Sequence, residues 1–103
     1  MGYFQITSTI KSKGNVDVVN SFATWRPVPS FDSIDVVYEF RFYATLTDMA
    51  NKEVFQPRDF GISIEDNSLD LTDINEWTNM RPKAEELLEA ISEIGVGNVT
   101  YVS

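Results

Sequence analysis

The chain has 103 residues, with 43% hydrophobic residues that include seven Phe, four Tyr and two Trp, and a net charge of −8. That length suits one domain, and that apolar content is enough for a packed core. With no Cys and no His, thiolate zinc sites, disulfides, iron–sulfur clusters, imidazole metal sites and Cys- or His-based catalysis are all excluded. The charge is uneven. Residues 1–60 carry seven acids and six bases, whereas 61–103 carry nine acids and two bases. Direct binding of nucleic acid needs clustered Lys and Arg, so this balance points instead to a protein partner with a basic surface.

In chain order, residues 3–10 alternate, with Phe4, Ile6 and Ile10 against Gln5, Thr7 and Thr9, which predicts a strand with one buried face. Residues 11–15 read as a turn, and 16–25 as a second strand bulged where Val18 and Val19 are adjacent. Arg26–Pro27–Val28–Pro29–Ser30 is expected to be a connector, because proline has no N–H for a central ladder.

Residues 34–46 alternate most clearly, with Val36, Tyr38, Phe40 and Phe42 on one side. The spacing predicts a thirteen-residue strand that bends or projects, a turn at 48–52, and a return strand over 54–64 interrupted by Pro57. Ala84, Leu87, Leu88, Ile91 and Ile94 recur at helical spacing, with Trp77 upstream and Gly95 as the stop, where Val96 is expected to pack on Ile91. Asp73 and Glu76 have the spacing of a capping box. Pro82 admits two arrangements: a short helical turn over 73–78 followed by a helix capped at Asn79, or one kinked helix. A final strand covers 99–102. The expected fold is α+β: an antiparallel sheet of about five strands, built as two hairpins, a helix and a strand, with the C-terminal helix on one face.

No stretch reads as a membrane span or a basic, apolar leader, so the expected location is the cytoplasm or a virion rather than outside the cell. Asp66, Asn67, Asp70 and Asp73 offer hard oxygen ligands, yet the segment has no Gly and sets Leu69 and Leu71 between its acids, so it reads as a solvated loop ending in a cap. No metal, cofactor or catalytic constellation is expected.

The candidate partner-binding residues are acidic and aromatic. Glu85, Glu89 and Glu93 fall four apart with Glu86 beside them, and Asp73 and Glu76 extend the series. Like charges at that spacing cost roughly 0.2–0.5 kcal/mol per pair, so Glu89→Lys is expected to help stability slightly. Their density, about one charge per 5 Å, is roughly a third of that of duplex DNA. Trp25 and Tyr43, with Tyr3, fall outside the main apolar stripes and read either as interface anchors or as packing beneath another layer. The expected function is a non-catalytic protein-binding or assembly module, such as a phage structural subunit that pairs with itself or with a basic protein. The alternative is an acidic inhibitor, of DNA-mimic type, that covers a nucleic-acid-binding surface.

Overall fold

The computed structural model describes residues 2–30 and 34–103. Its elements are β1 (Tyr3–Ile6), β2 (Ile10–Lys11), β3 (Asp17–Val18), β4 (Ser21–Pro29), β5 (Val36–Tyr43), α1 (Leu46–Ala50), β6 (Ser63–Asp66), a 3-10 turn (Ile74–Asn79), α2 (Met80–Glu89) and β7 (Val99–Val102). Five strands form one antiparallel sheet in the order β6-β5-β4-β1-β7, and α2 packs on one face of it. The fold is α+β, as the alternation and the single helical stripe require.

The first hairpin is split rather than continuous. Ile6 lies opposite Ser21 and Ile10 opposite Val18, so residues 7–9 face only residues 19 and 20. Asn20 takes a left-handed backbone, φ 56°, at this step. The bulge bends the tip away from the main sheet, and β2–β3 becomes a separate two-stranded ribbon. The segment after Phe55 seats that ribbon, with the Lys13 amide donating to the Gln56 carbonyl and the Arg58 amide to the Lys11 carbonyl, both at 2.9 Å.

Pro27 and Pro29 lie inside β4, not in a connector, and pair with Tyr38 and Val36. The reason is register. The Ser30 amide donates to the Asp35 carbonyl at 2.7 Å, and amide direction alternates along a strand, so the nitrogens of residues 27 and 29 point away from β5. On that side β1 reaches no further along β4 than Ala23. The prolines therefore remove no ladder bond, and this half of a central strand behaves as an edge.

β5 is eight residues long, not thirteen, and does not project. Thr45 stops it by accepting the Asp48 amide as a helix cap, which turns the expected loop into α1. The return strand is shorter and lies later than the expected 54–64, at Ser63–Asp66, with Phe55 touching the ladder alone opposite Phe42.

The core lies between the sheet and α2. Phe4 and Ile6 from β1, the even-numbered residues 36–42 from β5, and Ala84 and Leu88 from α2 are all buried in it. Of the two arrangements around Pro82, the split one forms. The 3-10 turn ends at Asn79, α2 begins at Met80, and Pro82 falls in the first helical turn, where its missing N–H costs nothing. Asn79 stands at the cap position without a side-chain cap bond, and Glu76 turns to the Asn79 side chain rather than back to Asp73, so no capping box closes. The helix also ends early, at Glu89. Residues 91–94 continue as a separate turn closed by Gly95 at φ 84°, and Val96 is left 86% exposed instead of packing on Ile91.

Candidate functional site

The acid-rich run 65–76 is built from side chains folded onto their own loop. Asp66 Oδ2 accepts the Ser68 amide at 3.1 Å and the Ser68 hydroxyl. Asp70 Oδ1 accepts the Thr72 amide at 3.0 Å and the Thr72 hydroxyl. Asp73 Oδ1 accepts the Asn75 amide at 3.0 Å, capping the 3-10 turn. Three successive Asx turns thus absorb the carboxylates one at a time. The Thr72 side chain and then its backbone hold the Asp70 carboxyl below the ordinary range. Among the described residues no three carboxylates gather at one point. Titration with calcium should therefore show nothing tighter than millimolar, and a micromolar site lost in Asp70→Asn would contradict this.

The glutamates do not form a continuous free row. Glu86 is exposed and pairs with Lys83 at 3.3 Å, and Lys83 also lies 3.6 Å from Asp66, tying α2 to β6. Glu85 lies on α2, one turn ahead of Glu89. Glu89 Oε2 accepts the Gly97 amide at 2.7 Å. Glu93 lies beyond the helix end, and its Oε1 accepts the Lys11 amide at 2.9 Å, fastening β2 to the C-terminal turn. The spacing of four survives in the sequence but not as one helical face.

This reverses the sign expected for Glu89→Lys. Relief of repulsion with Glu85 returns roughly 0.2–0.5 kcal/mol, and a cation at the C-terminal end of α2 returns roughly a few tenths more by the helix dipole. The substitution also removes a charge-assisted bond to a backbone amide, worth roughly 1.5–3 kcal/mol where it is shielded and less at this exposed site. A net loss of about 1 kcal/mol is expected by urea denaturation. A more stable variant would show that the Gly97 bond contributes nothing.

The aromatic candidates are drawn inward. Trp25 is partly buried against the core, stacked on Tyr38 with ring centroids 6.3 Å apart. Tyr43, on the sheet face opposite α2 by alternation, is only 3% exposed and offers no anchor. Tyr3 sets its ring edge-on to Phe22 at 5.9 Å. Of these three only Tyr43 is fully buried, while Trp25 and Tyr3 are half-buried.

Two surfaces that the spacing of the acids did not indicate stand out. One is the outer strand β7. The Thr7 amide donates to the Asn98 carbonyl at 2.9 Å, so by alternation Thr100 and Val102 also face β1, while the backbone groups of Val99 and Tyr101 face outward. This edge carries no charge and no Pro, whereas the opposite edge strand β6 carries Glu65 and Asp66. The other is the 3-10 turn, where Ile74 is 80% and Trp77 48% exposed. The amphipathic spacing that placed Trp77 on the helical stripe could not show that it would stop at the surface.

Two small cavities lie among the described residues. One of about 170 Å³ lies over the bulge, lined by Gln5, Thr7, Asn20 and Phe22 among others, and one of about 110 Å³ lies beside Phe55. Ligand pockets start near roughly 300 Å³. Among the described residues no helix is long and apolar enough to cross a membrane. No family model matches the chain, and neither a curated protein nor a solved structure matches it.

Proposed function

We propose that the chain is a non-catalytic protein-binding or assembly module, of the kind found among phage structural subunits, that joins other chains through β7. One observation supports the reading: an outermost strand, Val99–Val102, with outward backbone donors and acceptors and none of the charges or prolines that blunt an edge. An extended segment added there gains main-chain hydrogen bonds along the strand, and identical strands can pair antiparallel about a two-fold axis.

Light scattering over a concentration series tests this. The expected result is a defined oligomer that Thr100→Lys returns to a monomer still folded by circular dichroism. Thr100 is exposed, and a Lys on an edge strand opposes pairing. A wild-type chain that stays monomeric would end the self-assembly reading. The second reading, an acidic antagonist of a basic, nucleic-acid-binding surface, is favoured by the nine acids against two bases in residues 61–103. Its mark is a partner complex that weakens steeply with salt.

A further inference from the structure

We infer that the 3-10 turn Ile74–Asn79 is a second docking surface, which takes a basic protein segment whose apolar side chain is flanked by Lys or Arg. The inference rests on the reading of the chain as a protein-binding module but uses a different surface from β7.

A 3-10 helix has three residues per turn, and runs beyond three or four residues are uncommon. This one has six. Residues three apart therefore eclipse. Ile74, Trp77 and Met80 fall in one row, and Asp73, Glu76 and Asn79 in the adjacent row, at roughly 6 Å intervals. The apolar row descends from solvent to core: Ile74 is 80% exposed, Trp77 48%, and Met80 packs against the buried cluster. Trp77 is held in place, since its Nε1 donates to the Leu71 carbonyl at 2.9 Å. An indole fixed in this way loses little freedom on binding, which favours it as an anchor.

The neighbouring row supplies the charge. Asp73 is directed by its bond from the Asn75 amide, and Glu76 by its bond from the Asn79 side chain at 3.0 Å. Asp70 lies just upstream. The two basic residues of this half of the chain are engaged elsewhere: Lys83 pairs with Asp66 and Glu86, and the Arg81 guanidinium lies 4.6 Å from the Tyr101 ring centroid. An apolar stripe bordered by carboxylates repels nucleic acid and anionic membrane and complements a cationic segment with an apolar centre.

The test uses a short synthetic peptide with one Leu between paired Lys residues, and a control with Ser in place of Leu. Each is titrated into the full chain at low salt while the Trp77 indole and the backbone amide resonances are followed. The Leu peptide is expected to shift it saturably and to bind at least about fivefold more tightly than the control. The deciding variant is Ile74→Asp. It adds a negative charge at an exposed site, so pure Coulomb attraction predicts tighter binding, whereas docking on the stripe predicts binding weaker by about fivefold or more. Equal or tighter binding overturns the proposal. Shifts confined to Glu85 and Glu86 overturn this surface and leave the protein-binding reading standing. Concentration-dependent Trp77 shifts without peptide, lost in Ile74→Asp, would make a second copy the occupant and also overturn it. No binding of either peptide, together with a monomeric wild-type chain, would remove this surface and the β7 assembly reading together.

Discussion

Leu88→Ala is expected to lower the folding free energy by about 2–5 kcal/mol, read from urea denaturation at neutral pH. Leu88 has no exposed surface and shares one cluster with Phe40 and Phe42 of β5. α2 lies on this side of the sheet and Leu88 sits inside the packed cluster, so its truncation leaves a cavity between helix and sheet. Domains of this size are stable by roughly 5–15 kcal/mol, so the change removes a large share of the total. Leu87, one position along, is only partly buried, and its truncation should cost clearly less. A Leu88→Ala loss below about 0.5 kcal/mol would mean that another face of α2 meets the sheet.

Burial periodicity was the legible part of this fold. The alternation over residues 36–42 and the stripe through Ala84 and Leu88 report which face meets the core, and both faces are as the pattern predicts. Element ends were less legible, because they depend on partners distant in sequence. Pro27 and Pro29 look like strand breakers until the short length of β1 leaves their nitrogens without a neighbour to serve. Hydrophobic spacing carries the helix on to Ile94, yet it stops at Glu89, and Glu93 is taken by the Lys11 amide across the molecule. Residues with the D-x-[STN] spacing at 66, 70 and 73 did carry a readable signal, since each Asx turn needs only the residue two positions on. The exposure of Ile74 carried none: a tight 3-10 repeat, not an α-helical one, decides which residues it aligns.

Tyr38→Phe should raise stability at neutral pH by about 1–3 kcal/mol, the cost of a buried hydroxyl left unpaired. Tyr38 has no exposed surface, and among the described residues its buried hydroxyl finds no hydrogen-bond partner. Phenylalanine keeps the ring, so the stacking on Trp25 and the place opposite Ile64 persist. The same residue predicts a pH effect. Burial, and then the nearby Asp66 carboxylate, push the Tyr38 hydroxyl up to about 12. In the unfolded chain it ionises near pH 10. Between those values the unfolded state releases a proton that the folded state retains, so the wild-type chain loses stability as pH rises from about 10 to 12. Below pH 10 both states are protonated and the term is constant. The Phe variant lacks the group in either state, so its advantage over wild type should widen across that window while contributions from the other tyrosines and the lysines cancel in the comparison. Paired denaturant titrations at pH 7 and near pH 11 would measure it. An advantage that stays flat would place the hydroxyl in contact with solvent, and a Phe variant less stable at pH 7 would mean that the hydroxyl has a hydrogen-bonding partner in the core.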